Sequence, residues 1–502
     1  MTLNYGNSSL QGIVLRAIGW MLLVLILVIL GIACAILPPL YILAFFSAPL
    51  AILIATIFPA LALSTILLIA FGLVPSFLFP TLTFGGATFQ PAELMLMFTF
   101  CIVLIKGYAE WKGILPRAKP LRLALILLSA GLVIGLINGK LLGNYHYAMA
   151  DFRQYLGWLA LPIALWLASR NPESIHRIVL TIALLAAAMM AFQMLTGIRV
   201  IYGFRGAEIL TKEFSDVSRS AIGGGEIFLI YAAYYLFVRF CEADRGRLWI
   251  LLGMQLIFCG LIASFSRGVW AGFLLGGIIF IATLPQLKRN KTSIAILIAA
   301  LILGVGSLAV LAVPRIGEAA VERVLSVKDE GKSGSSLGFR FDENQQALDA
   351  IKRSPIFGRG LGVEYKRAFR QSGSDGGFEV ETSFVHNGYM NLWLKLGIVG
   401  LAYPFVLIFS LWKIVKEKSK ATGVADSSDR KSMLRAYAAF STLISFAVLG
   451  LTAPVWSTTI TVAVASCLVA LIIGSSRIEE AGKKPRNCRL DLTVSSRDGT
   501  AS

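Results

Sequence analysis

Residues 248–284 are apolar almost without a break, and the break is Ser266-Arg267-Gly268. The stretch is too long for one crossing of a bilayer and too apolar for the face of a soluble domain. It predicts two membrane helices joined by a turn that carries a cation. Comparable runs of roughly 17–25 residues recur along the chain. With only 15% of its 502 residues charged, the chain could not cover that much apolar surface with polar groups. The fold class that follows is all-α: a polytopic integral membrane protein of about 12–14 transmembrane helices.

The spans are expected at about 15–37, 41–58, 60–79, 91–106, 121–137, 156–169, 178–196, 223–239, two flanking Arg267, 293–313, 389–411, and a final hairpin around Pro454-Val455-Trp456. The first run lacks a small-residue cleavage site, so it is expected to be a span rather than a cleaved signal. With the N-terminus inside, every short basic loop falls on one side. These loops, Arg16 and the tail hold more than half of the 46 Lys and Arg, which matches the positive-inside rule. The formal charge of +18 would suggest a nucleic-acid partner in a soluble chain. Here loop topology accounts for it, and no nucleic acid is expected. The long polar segment 314–388 then lies outside, between an N-terminal bundle over 1–313 and C-terminal helices over 389–474, with a disordered inner tail over 475–502. Cys34, Cys101, Cys241, Cys259, Cys467 and Cys488 are scattered without a CxxC pair, which argues against metal or disulfide use.

The residues with chemistry in them collect on the outer side: Arg153, Arg199, Arg205, Arg219, Arg267 and His386, with Glu93 and Glu226 just inside spans. A proton or ion pathway would instead leave ionisable groups at mid-depth. Arg267 either snorkels from its turn or clamps an anion in bidentate fashion. Arg219 precedes Gly223-Gly224-Gly225-Glu226. Free N–H groups at such a helix start favour anions, and the alternative is an ion pair of Arg219 with Asp216 or Glu226. Arg205, in the same loop, is an equal candidate. Asp151 either caps a helix or pairs with Arg153, which otherwise helps to hold phosphate.

Residues 337–362 read as an amphipathic helix led by Arg340, with a stripe of Phe341, Ala347, Leu348 and Ile351. Pro355 and the glycines after it end the helix. Its reading is a lid over the outer face or a direct ligand contact. His386 and Asn387 then open an apolar helix directly after a polar loop. Asn387 suits a helix cap, and His386 has a pKa suited to taking a proton from a sugar hydroxyl near neutrality. His146 and His176 are expected at the surface.

Four of these pieces, in order, resemble the O-antigen ligase and polymerase superfamily of bacterial envelopes. They are Arg219 before a Gly-rich helix start, Arg267 in a short outer turn, the Arg340 helix ending in Pro-x-x-Gly-x-Gly, and His386-Asn387 opening a helix with Gly397 and Gly400. The resemblance spans roughly 213–402. It implies a metal-independent glycosyltransferase-C-type enzyme without a cofactor, in the bacterial inner membrane, with its site facing the periplasm and one long periplasmic loop containing amphipathic helices. The donor would be a glycan on undecaprenyl pyrophosphate. The acceptor would be a sugar on lipid A-core or on a growing polysaccharide. Arg219 and Arg267 would bind the pyrophosphate, and His386 would activate the acceptor hydroxyl. Arg205, Arg153, Arg340, Asn387 and Glu226 would line the substrates. A transporter or flippase of a lipid-linked anionic glycan would use the same arginines as a funnel, but it predicts internal repeats and mid-depth charges. A membrane-bound acyltransferase would place its histidine within an apolar stretch.

Overall fold

The computed structural model describes residues 56–74, 81–84, 87–108, 110–142, 145–202, 208–209, 218–220, 222–242, 245–283, 336–369, 378–421 and 427–474, with residues 318, 321 and 325 singly. The expected spans at 15–37 and 293–313, most of that at 41–58, and the tail lie outside these residues. Helices dominate what is described. They are α1 (Pro59–Ala70), α2 (Pro91–Lys106), α3 (Trp111–Arg117), α4 (Arg122–Leu141), α5 (Tyr145–Arg153), α6 (Ala160–Arg170), α7 (Pro172–Thr196), α8 (Glu226–Glu242), α9 (Arg247–Ala263), α10 (Arg267–Thr283), α11 (Ser336–Lys352), α12 (Gly388–Ala421), α13 (Ser427–Leu449) and α14 (Thr459–Gly474). Four stretches, Lys119–Leu141, Pro172–Thr196, Gly388–Lys418 and Arg430–Leu449, are long and apolar enough to cross a membrane, and four shorter apolar helices accompany them. The protein is an all-α, multi-pass membrane protein.

Between the helices, three two-stranded antiparallel hairpins form: β1 (Leu82–Phe84) with β2 (Ala87–Phe89), β3 (Glu208–Ile209) with β4 (Ser218–Arg219), and β5 (Tyr365–Phe369) with β6 (Phe378–Thr382). The segment after α11 is therefore a β-hairpin, a feature the helical spacing of its neighbours conceals.

Lipid tails are as apolar as leucine, so membrane helices associate by close packing at small residues. Two glycine stripes at four-residue spacing do this here. On α10, Gly268, Gly272 and Gly276 face Leu449, Ser445 and Ser441 of α13. On α4, Gly131, Gly135 and Gly139 face α12 and the loop that follows α11. A Cβ at Gly276 would overlap the Ser445 hydroxyl and come within 2.8 Å of the Ser441 carbonyl and the Tyr234 hydroxyl. Gly276→Leu is accordingly expected to lower stability by about 1–3 kcal/mol or more, seen as an earlier thermal transition in detergent. Gly113→Ala, where a Cβ meets open space, should leave the transition in place. Equal transitions for both variants would contradict the packing.

One end of the bundle is basic and paired. Arg170 bonds Glu110 through Nε at 3.0 Å, and this hydrogen bond holds the Glu110 carboxyl below its usual range. Arg430 bonds Glu242 at 2.9 Å, and Arg435 pairs with Glu173. His176 lies near this end but not at the surface as expected. Helix α7 begins at Pro172, before the expected span, and takes His176 into its interior. There it is buried, and its Nδ1 lies 2.9 Å from the Tyr231 hydroxyl.

At the opposite end the chain is stitched by backbone. Gly397 interrupts α12 with φ 71° and ψ −164°, a region open essentially to glycine alone. The residues after α11 enter that break: Ile398 N donates to Ile356 O at 3.0 Å, and Arg359 N to Leu394 O at 2.7 Å. Leu361 N donates to Gly135 O at 2.8 Å, and Asn138 donates to the carbonyls of Phe357 and Gly358. The Pro-x-x-Gly-x-Gly run is thus a strap threaded between α4 and α12.

Candidate active site

The α9–α10 turn presents Arg267. Helix α9 ends at Ala263, and Ser264-Phe265-Ser266 make the turn. Phe265 is buried with φ 43°, a left-handed conformation that costs a bulky residue about 1–3 kcal/mol. Neighbouring bonds hold it: Ser264 Oγ accepts from Ser266 N at 3.3 Å, and Trp270 Nε1 donates back to Leu261 O at 2.8 Å. Half-buried Arg267 is then the first residue of α10, where N–H groups are open to an anion.

Arg219 arrives at the same turn. It ends β4, paired across from Glu208, and Ser220 N donates to Ala263 O at 3.0 Å. Arg205 falls outside the described residues. Glu226, expected against Arg219 or a substrate, spends its carboxylate on its own helix start. It accepts Ile222 N at 3.0 Å and Gly224 N at 2.8 Å, so it shapes the Gly-rich turn.

His386 sits before α12. Asn387 caps that helix, accepting Tyr389 N at 3.1 Å and Met390 N at 3.2 Å, so its side chain serves the backbone. The His386 ring stands edge-on to Phe384. Its Nδ1 lies 3.1 and 3.0 Å from the two carboxylate oxygens of Glu343. Glu343 belongs to α11, one turn after Arg340, and its side chain is fully buried. The buried stripe of α11 is consequently Glu343, Ala347, Ala350 and Ile351, while Phe341 is 77% exposed. The expected stripe took Phe341 because an acid reads as solvated; a partner across the packing interface turns the helix the other way.

A single segment, 449–461, connects these parts. Gly388 N donates to Gly450 O at 2.8 Å, and a Cβ at Gly268 would lie 2.9 Å from Thr452 Oγ1. Asn391 donates to Ser457 Oγ at 2.7 Å. A Cβ on Gly224 would strike Thr461. Thr459 Oγ1 donates to Glu93 at 2.9 Å. Arg153 lies beside it, with Nε 3.5 Å from Glu93. Its partner is therefore Glu93, not Asp151, because Asp151 is already committed: Lys395 lies 2.7 Å from one oxygen, and Gly362 N donates to the other at 2.7 Å. Both members of that ion pair are buried.

The arrangement brings the start of the Arg267 helix, through Gly268, and the start of the helix after the carboxylate-backed His386, through Gly388, against the same residues 450–452. An O-antigen ligase family model matches residues 252–405. Those residues are similar to the O-antigen ligase family. An uncharacterized protein of Haemophilus influenzae is 32% identical over 163 residues, which is 30% of this chain and 40% of that relative. The matched stretch begins inside α9 and ends inside α12, so it contains Arg267, Arg340, Glu343, His386 and Gly397. Arg153, Arg219, Glu226 and the 449–461 segment that joins the two sides lie beyond it. Sequence reasoning missed Glu343, the Asp151–Lys395 pair and the joining segment. Only the glycine stripes carried a readable signal, G-x-x-x-G in apolar runs.

Proposed function

We propose that the protein transfers a glycan from undecaprenyl pyrophosphate to an acceptor sugar hydroxyl at the outer face of the bacterial inner membrane. The observation that carries this reading is that Gly268, beside Arg267, and Gly388, two residues after His386, both meet residues 450–452. Arg267, with Arg219 arriving at the same turn, would hold the pyrophosphate. The acceptor oxygen attacks the anomeric carbon as its proton passes to His386. The bond from that carbon to the phosphate oxygen breaks, and its electron pair leaves on undecaprenyl pyrophosphate. Fixed guanidinium charge stabilises the leaving group in a site that needs no reorganisation. The paired basic residues at the opposite end support an inward orientation for that end, which leaves this site facing the periplasm.

A deletion strain tests the reading. Long glycan accumulating on undecaprenyl pyrophosphate identifies a ligase, and single repeat units identify a polymerase. Normal envelope glycan would overturn both. Arg267→Lys should cut transfer roughly ten- to hundredfold, since a point charge replaces a bidentate fork. Transfer from purified lipid-linked donor, measured in vesicles, checks it.

A further inference from the structure

We propose that Glu343 is the positioning residue for His386: its carboxylate holds the proton on Nδ1 and leaves Nε2 as the unprotonated nitrogen facing the acceptor hydroxyl. This rests on the reading of His386 as the acceptor base. The geometry is specific. Both carboxylate oxygens lie within 3.1 Å of Nδ1, and Glu343 shows no exposed side-chain surface. A carboxylate only accepts hydrogen bonds, so the ring nitrogen facing it carries the proton, and which nitrogen is protonated decides which one can act as base. The ring's edge-on contact with Phe384 limits its rotation. When Nε2 takes the hydroxyl proton, the imidazolium forms beside the Glu343 side chain.

The pair also sets the place of α11. Arg340 precedes Glu343 by three residues, so the two lie on neighbouring positions of one helical face. The bond that orients His386 thereby docks the helix carrying Arg340 beside the site. A helix read as a lid is, on this account, a working part of the base.

The test is Glu343→Gln in the full chain, reconstituted with a lipid-linked glycan donor. Glutamine keeps the shape, but its amide N–H can face Nδ1 and drive the proton to Nε2. Turnover should fall roughly 10²–10³-fold, with the KM for the donor unchanged within about twofold. A merely structural role would move both. The second readout is 15N NMR of labelled histidine. The chain has three histidines, and His386→Ala assigns the relevant signal by subtraction. The protein should show His386 protonated on Nδ1 near neutral pH, and Glu343→Gln should reverse this. Protonation on Nε2 in the unaltered protein would overturn the proposal even if the variant fails to fold. Unchanged turnover in Glu343→Gln, with transfer abolished in His386→Ala, would overturn it while leaving His386 as base. Retained transfer in His386→Ala would remove the underlying reading instead.

Discussion

On the proposed reading, His386→Ala is expected to cut glycan transfer roughly 10²–10⁴-fold, the range that a positioned acid or base contributes. The loss should appear in turnover. Donor binding should persist, because the arginine side of the site is carried by α10 and β4 and the imidazole by the residue pair that precedes α12. Binding of donor to the inactive variant, followed by pull-down with labelled lipid-linked glycan, separates the two effects. The variant also leaves Glu343 without its imidazole in a buried place, so some stability is lost. Elution as a single species from size exclusion guards against mistaking misfolding for lost chemistry. His386→Ala with full transfer would end the account of the acceptor side.

The second large effect concerns stability. Asp151→Ala leaves Lys395 buried without its carboxylate, and breaking a buried pair from one side costs roughly 3–5 kcal/mol. The loss falls where α5, α12 and the strap after α11 meet, because Asp151 also accepts from Gly362 N. The double variant Asp151→Ala, Lys395→Met should regain most of the loss, since replacing both charges by apolar groups is often near neutral. It should not regain all, because the Gly362 N–H still loses its acceptor, at about 1–3 kcal/mol. Thermal unfolding in detergent checks the order: unaltered protein, then the double variant, then Asp151→Ala. A double variant no better than the single one would show that the ion pair is not the source.

Local patterns in the sequence predicted local things well. The apolar runs gave α2, α4 and α8–α10 close to their observed bounds, because helix-forming apolar residues in a bilayer have few other options. The polar interruption expected at Ser266-Arg267-Gly268 does mark a turn, but the turn lies two residues earlier, at Ser264–Ser266, and Arg267 and Gly268 already belong to α10. Asn387 is a cap, as its residue type suggests. Pairing across distance was not legible. Glu343 looks like one more solvated acid on an amphipathic helix until His386 is placed beside it. Asp151 has a nearer and more obvious partner in Arg153, and the fold gives it Lys395 instead. His176 is flanked by charge on the chain, yet an aromatic pair on α8 draws it inward. Segment 449–461 reads as an ordinary hairpin turn. Its role comes from the Thr452, Ser457, Thr459 and Thr461 side chains and the Gly450 carbonyl, which meet α10, α12, α2 and the Gly-rich turn before α8. Hydroxyl residues in a turn do not by themselves announce such partners.

That segment also governs how the site responds to motion. It acts as a common datum for Arg267's helix and His386's loop. A displacement of the segment is expected to carry both with it, since Gly388 bonds Gly450 and Gly268 packs on Thr452. Transfer chemistry is sensitive to misplacement of about 1 Å, so a shared reference suppresses the errors that matter most. A change in bilayer thickness or lateral pressure, which tilts helices, is then expected to shift the depth of the site more than the separation of its halves.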